Sequence, residues 1–137
     1  MKDNETIKVS KSWLKKAKED LITAETLLNS PEERIEFLTA SIGFHSQQCV
    51  EKCLKAILTF NQKDFKKSHD IHYLLNLSED VIDSTSSKKI RENADMLNDF
   101  VVNARYPGDY EDFNIDESKQ AFQTAKTVFT IVKEIID

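Results

Sequence analysis

Apolar residues recur at three- and four-residue steps along most of this chain, the spacing of one face of an α-helix. The first run follows Ser10 or Ser12, either of which is a suitable N-cap, and ends at Asn29-Ser30-Pro31. Its members are Trp13, Leu14, Ala17, Leu21, Ala24, Leu27 and Leu28. The pattern predicts a long first helix, preceded by a flexible N-terminus over residues 1–9.

A second, longer helix is predicted from near Glu32 to about Asn61. Its apolar seam consists of Leu38, Ile42, His45, Cys49, Cys53, Ala56 and Phe60, and further apolar residues on its other faces are Phe37, Phe44, Leu54 and Leu58. A helix that is apolar on several sides is a central one, which contacts several neighbours or a second subunit. Gly43 in its middle indicates a close helix approach, because Gly costs about 1 kcal/mol there.

Three more helices complete the predicted fold. After a basic loop over 61–68, a short helix spans 69–77, and a fourth, marked by apolar residues between Ile90 and Ala104, ends before Pro107. The last helix is predicted to start at Asp116 as its cap and to carry the apolar stripe Phe122, Ala125, Phe129, Val132 and Ile136. We therefore expect an all-α, antiparallel up-and-down bundle of about five helices, four long and one short, in a single domain over residues 10–137.

Composition narrows the class of protein. Only 2 Gly and 2 Pro are present, which excludes glycine-rich phosphate loops and Rossmann fingerprints. The net charge of -5 argues against a nucleic-acid-attracting polycation, and DNA is not expected as a partner. Apolar runs are too short for a membrane span, and residues 1–11 do not resemble a secretory signal. Two Cys in such a chain favour reduced thiols and a cytoplasmic location.

The densest polar cluster lies on the second helix, where Gln48, Lys52 and Lys55 form one stripe beside the apolar seam. A lysine at this place must snorkel, pair with a buried carboxylate or hold an anion. Two interpretations stay open. In the first, Lys52 pairs with an acid on a neighbouring helix and Gln48 hydrogen-bonds across the bundle. In the second, the stripe binds a ligand or RNA.

His45, Cys49 and Cys53 are residue types that bind zinc, but their spacing does not suit one ion. Positions i, i+4 and i+8 extend over about 12 Å of helix at 1.5 Å per residue. A tetrahedral ion with bonds of about 2.0–2.3 Å cannot reach all three. We therefore predict buried structural thiols, with neither a metal site nor a cofactor.

Two further stretches carry side chains suited to chemistry. His69 is a candidate general base or phosphate contact, and the alternative is that it closes the loop by hydrogen bonding. Asp70 is placed either to cap the third helix or to orient an imidazole. Arg105 has the shape for bidentate phosphate binding, and Tyr106 could stack on a base. The alternative for Arg105 is to complement the dipole of the helix that it ends.

These stretches together resemble the HEPN domain family over residues 10–136. The similarity rests on the run from Phe44 to Ala56, on His69-Asp70 and on Ala104-Arg105-Tyr106-Pro107, and the positions that match family motifs are Gln48, Lys52, His69, Asp70 and Arg105. The resemblance implies a prokaryotic helical bundle that is usually a homodimer. It also implies an MNT-type minimal nucleotidyltransferase as a partner, in a toxin–antitoxin-like pair.

Many HEPN proteins are metal-independent ribonucleases with an Arg followed, after four to six residues, by a His, in a composite site across the dimer. None of Arg34, Arg91 and Arg105 is followed by a His at that spacing. The remaining catalytic candidates are Arg105 with His69 or His45. We therefore expect a dimeric module that binds a nucleotide or a nucleotidyltransferase. The alternatives are a ribonuclease toxin and a structural dimer with an ion-pair network in place of a site.

Overall fold

The computed structural model describes residues 2–102 and 113–137, and within these ranges the chain forms six helices. They are α1 Asn4–Leu28, α2 Glu32–Ile35, α3 Thr39–Phe60, α4 Ile71–Ser78, α5 Ser84–Val102 and α6 Ile115–Ile136. The expected all-α bundle is confirmed. The predicted end of the fourth helix before Pro107, together with Arg105 and Tyr106, lies outside the described residues.

The first helix begins at Asn4, so the prediction of Ser10 or Ser12 as its cap is wrong. The Asp3 carboxylate is the N-cap and accepts a hydrogen bond from the Thr6 backbone N–H at 2.7 Å, and this bond lowers the pKa of Asp3. Ser10 is instead buried inside α1, where its hydroxyl donates to the Thr6 carbonyl at 2.8 Å. The Ser12 hydroxyl makes the same kind of bond one turn back, to the Lys8 carbonyl at 3.0 Å.

The prediction of Asp116 as the cap of the last helix is wrong, because Asn114, two residues earlier, occupies the N-cap position. Asn114 and Glu117 form a reciprocal capping box. The Asn114 side chain accepts from the Glu117 N–H at 2.8 Å, and the Glu117 carboxylate accepts from the Asn114 N–H at 3.1 Å. Two backbone donors at the helix start are thereby satisfied, which Asp116 could not do from the first turn.

The long second helix of the sequence prediction is divided into α2 and α3 by a turn over residues 36–38. There the Phe37 N–H donates to the Arg34 carbonyl at 2.9 Å and the Leu38 N–H to the Ile35 carbonyl at 2.8 Å. Hydrogen bonds to the third preceding residue tighten the backbone relative to an α-helix. The α-helical hydrogen-bonding pattern is therefore interrupted here before α3 begins.

Helix α3 is the central element, as its apolar residues on several faces predicted. It packs against α1 and α6 most extensively, and also against α4 and α5. Its fully buried apolar residues are Ile42, Cys49, Val50, Cys53, Leu54, Ala56, Ile57 and Leu58. Both thiols are free and lie in this core, as predicted, and burial raises the pKa of the Cys53 thiol.

The Phe100 ring of α5 lies directly against Gly43 of α3. A Cβ atom at this position would lie 2.0 Å from that ring, so a larger residue would force the ring to move. The Phe100 ring in turn stacks on Phe113, with 4.1 Å between the ring centroids. The close approach predicted at Gly43 is thus made by a side chain of the neighbouring helix. Within the two described ranges, no helix is long and apolar enough to cross a membrane.

Candidate functional site

Two clusters of charged side chains are built around buried carboxylates beside α3. We call the first the Asp20 group: Asp20 of α1 with His45 and Lys52 of α3. We call the second the Glu51 group: Glu51 and Lys55 of α3 with His69 from the loop before α4. Each carboxylate thus accepts from one lysine and one histidine.

The Asp20 group connects the two longest neighbouring helices. One Asp20 oxygen lies 2.8 Å from His45 Nδ1, and the other accepts from Lys52 Nζ at 2.6 Å. The interpretation in which Lys52 pairs with an acid on a neighbouring helix is therefore confirmed. Sequence reasoning did not name Asp20 as that acid. Its register was the available signal, because it lies three residues after Ala17 and four before Ala24 on the core face of α1.

The Glu51 group is more deeply buried at its carboxylate. Glu51 Oε2 accepts from Lys55 Nζ at 3.0 Å, and Oε1 lies 2.7 Å from His69 Nδ1. Lys55 is itself buried, and its ammonium lies 5.5 Å from the centroid of the Trp13 ring. At that distance the ring adds cation–π stabilisation to the ion pair. Glu51 was also missed from the sequence, although it stands inside the run that carries the family resemblance.

Two adjacent glutamines surround this carboxylate. The Gln48 amide donates to the Gln47 side-chain oxygen at 2.8 Å and to Glu51 Oε1 at 3.4 Å, so it stays on α3 and the prediction that it bonds across the bundle is wrong. The fully buried Gln47 makes the longer-range bond instead, from Nε2 to the His69 carbonyl at 2.9 Å. The two residues exchange roles because Gln47, not Gln48, points into the interior.

Asp70 caps α4, as one of its two predicted roles requires. Its Oδ1 accepts from the His72 N–H at 2.9 Å and from the Asn98 side-chain amide at 3.0 Å. Asn98 also accepts from the Ile71 N–H at 3.0 Å, so α5 holds the start of α4. Asp70 does not orient an imidazole among the described residues. His69 is oriented by Glu51, and His72 Nε2 lies 2.6 Å from the Asp95 carboxylate.

The His69 side chain is 65% exposed, whereas the Glu51 side chain that holds it is only 4% exposed. Lys66 and Lys67 are exposed on the same loop, and the Lys66 N–H donates to the Tyr73 hydroxyl at 2.9 Å. The arrangement places a fixed imidazole and two lysines at the surface between α3 and α4. Whether Arg105 and Tyr106 join them stays a prediction, because both lie outside the described residues.

Neither the Asp20 group nor the Glu51 group is arranged as a metal site. Among the residues that the structure describes, no three side chains of His, Cys, Asp or Glu are grouped so that they could share one ion. In both groups, a lysine ammonium lies on the same carboxylate as the histidine. A cation bound there would have to displace that ammonium. The clusters are therefore organised as hydrogen-bonded ion pairs.

A bundle of this kind, with a polar run on its central helix and His-Asp at the start of α4, defines the class of protein. The chain belongs to the HEPN domain family, whose model matches residues 10–135. It is similar to the protein named "Putative toxin MJ1304" of Methanocaldococcus jannaschii, at 28% identity over an alignment that covers 95% of this chain and 90% of that protein. No solved structure matches the chain.

Proposed function

We propose that this HEPN protein is a member of a prokaryotic toxin–antitoxin-like system. In this role it acts as a dimeric module that binds a nucleotide or a nucleotidyltransferase partner. Support comes from the family and from the relative in Methanocaldococcus jannaschii, whose name is "Putative toxin MJ1304". The missing Arg and His spacing in the sequence favours a binding role over RNA cleavage.

The exposed but anchored imidazole of His69 is the observation that carries this proposal. A mobile surface histidine loses rotamer freedom when a ligand binds, which weakens the ligand's affinity. His69 is already held by the buried Glu51 carboxylate at 2.7 Å, so most of that cost has been met in folding. Lys66 and Lys67 on the same loop supply positive charge for the phosphates of a nucleotide.

Lys52 and Lys55 take an indirect part in this proposal. Both were predicted to contact the ligand, and their ammonium groups lie on the Asp20 and Glu51 carboxylates. A phosphate would have to compete with those carboxylates for either lysine. Lys55 therefore serves the site by neutralising the Glu51 carboxylate that holds His69. Arg105 remains a predicted phosphate contact in addition to Lys66 and Lys67.

Calorimetric titration with ATP and GTP tests the small-ligand form of the proposal. We expect one nucleotide per protomer and a loss of binding in His69→Ala. His72→Ala is the matched control, because His72 pairs with the exposed Asp95 and not with a buried carboxylate. Absence of heat with every nucleotide, on folded protein, would exclude nucleotide binding.

The second form of the proposal is that the chain binds a nucleotidyltransferase. It predicts that the chain copurifies with an MNT-type nucleotidyltransferase when the two are coexpressed.

One observation favours ribonuclease activity as a second candidate function. His69 Nδ1 bonds to a buried carboxylate, and this base–carboxylate pair is the arrangement by which many hydrolytic sites orient a histidine. Arg105 would then stabilise the charge on the scissile phosphate. Expression in a bacterium should arrest growth in this case, and both Arg105→Ala and His69→Ala should relieve it. Normal growth on expression of the unmodified chain counts against the activity.

A further inference from the structure

We propose that Gln47 and Glu51 are positioning residues for His69, and that together they present its Nε2 lone pair to the ligand. Gln47 holds the backbone of His69 and Glu51 holds its ring. The part of this inference that concerns the ligand rests on the proposed nucleotide-binding function. The part that concerns the ring does not, because it follows from hydrogen bonds within the protein.

The proton on the His69 ring is assigned by its acceptor. An ionised carboxylate can only accept hydrogen bonds, and Glu51 has the Lys55 ammonium on its other oxygen at 3.0 Å. The 2.7 Å contact between His69 Nδ1 and Glu51 Oε1 therefore requires the hydrogen to be on Nδ1. In the neutral ring Nε2 then carries the lone pair. Nε2 has no hydrogen-bond partner among the described residues, and the side chain is mostly exposed.

Gln47 closes a ring of hydrogen bonds around this imidazole. Its Nε2 donates to the His69 carbonyl, and its oxygen accepts from Gln48, which also donates to the Glu51 oxygen that holds the His69 ring. Gln47 is fully buried, so a missing partner would leave a polar group unsatisfied in the core. The backbone and the ring of His69 are thus fixed by separate bonds to the same helix.

The Nδ1–H tautomer of His69 determines which chemical group of a ligand can bind at Nε2. A bare Nε2 accepts a hydrogen bond, so the neutral ring pairs with a donor on the nucleotide and not with a phosphate oxygen. The donors that a nucleotide offers are the ribose hydroxyls, the exocyclic amino group of its base and, in guanine and hypoxanthine, the ring N1–H. Phosphate binding then falls to Lys66 and Lys67, whose ammonium groups are donors only.

The three histidines of this chain provide an internal comparison. His45 contacts Asp20 through Nδ1, as His69 contacts Glu51, but His72 contacts Asp95 through Nε2. The same reasoning therefore assigns the hydrogen to Nδ1 in His45 and His69 and to Nε2 in His72. A method that detects the protonated nitrogen of all three rings in one sample tests this assignment, because the tautomer expected at His72 is the opposite of that expected at His45 and His69.

Nitrogen-15 NMR of the ring nitrogens, on ligand-free protein with neutral rings, tests the positioning role directly. We expect the Nδ1–H form at His69 and the Nε2–H form at His72. Replacing the ion pair by apolar residues in Glu51→Leu/Lys55→Met should abolish the preference at His69 and leave His72 unchanged. An Nε2–H form of His69 in the unmodified protein would overturn the inference, as would a tautomer that the double variant does not change.

The role of Gln47 is tested through affinity and a matched glutamine. Gln47→Leu should weaken nucleotide binding about tenfold, which is the size of one lost net hydrogen bond. Gln62→Leu is the control, because Gln62 is exposed and its side chain bonds to Thr6 of α1 and not to His69. Equal affinities of the Gln47→Leu variant and the unmodified protein, with both folded by circular dichroism, would overturn the role of Gln47.

Nucleotide analogues separate the three possible donors. The probes are ATP, GTP, their 2′,3′-dideoxy forms and inosine triphosphate, which lacks the exocyclic amino group but keeps the ring N1–H. Weaker binding of the dideoxy forms identifies a ribose hydroxyl, weaker binding of inosine triphosphate identifies the amino group, and weaker binding of ATP than of both GTP and inosine triphosphate identifies the N1–H. Equal binding of all of them overturns the assignment of a donor at Nε2. If no nucleotide binds, the proposed function fails, and the NMR result alone then decides the positioning role.

Discussion

The Asp20 group and the Glu51 group contain the same chemistry, a carboxylate that accepts from a lysine and from Nδ1 of a histidine. They differ in the elements that they join. Asp20 fastens α1 to α3, and its histidine is 31% exposed, whereas Glu51 and Lys55 lie on one helix and hold a histidine that is 65% exposed. The first arrangement contributes mainly to helix packing. The second leaves a fixed imidazole available to a ligand, so similar ion pairs can differ in function through placement alone.

The largest effect on stability is expected from Glu51→Leu. This change leaves the buried Lys55 ammonium without its carboxylate, and breaking a buried pair on one side costs about 3–5 kcal/mol. Urea unfolding followed by circular dichroism measures the free energy of unfolding. The double variant Glu51→Leu/Lys55→Met should recover most of the loss, because it buries no unpaired charge. A double variant as unstable as the single one would contradict this explanation.

A smaller loss is expected from Lys52→Met in the Asp20 group. Lys52 and Asp20 are 23% and 11% exposed, so water solvates part of the Asp20 charge that the substitution leaves behind. We expect a loss of about 2 kcal/mol, within the range for hydrogen bonds to charged groups. Nucleotide affinity should stay within about twofold, or 0.4 kcal/mol. A loss of binding as large as that of His69→Ala would show that the Asp20 group also faces the ligand.

The smallest effect is expected at Lys63 and Asp80, an ion pair that lies at the surface away from both groups. The hydrogen bond from Lys63 lowers the pKa of the Asp80 carboxyl. A carboxyl with a lowered folded pKa stabilises the fold above its unfolded pKa, and this contribution is lost as the pH falls through the folded pKa. Asp80→Asn should therefore lower the urea midpoint slightly at pH 7 and not at low pH. An equal shift at both pH values would contradict the electrostatic explanation.

Much of the fold follows from the periodicity of the sequence, but the exact helix ends do not. Asp3, Ser10 and Ser12 are all good N-cap residues, and a local pattern cannot choose among them. Compared with a cap at Ser10, the cap at Asp3 lengthens α1 by about two turns. The added residues 4–10 carry only Ile7 and Val9 as apolar residues. The amphipathic signal is weak there, so the sequence prediction began the helix too late.

The candidate site was predicted only in part, for a different physical reason. Lys52 and Lys55 were identified because lysine is unusual beside an apolar seam, and His69 because it stands at a helix start next to lysines. The partners of Lys52 and His69 could not be identified, because Asp20 is 32 positions from Lys52 and Glu51 is 18 positions from His69. Glu51 is only four positions before Lys55, so helical spacing alone was the signal for that pair. The chain has 24 acidic residues, and one sequence does not show which of them the fold brings to a given lysine or histidine.

We expect the Glu51 group, and not the Asp20 group, to face the ligand. NMR of the imidazole signals during a titration with ATP or GTP distinguishes the two groups, because His69 and His45 report on them in the same sample. We expect the His69 signals to shift with saturation while the His45 signals stay in place. Shifts at His45 with none at His69 would contradict the account.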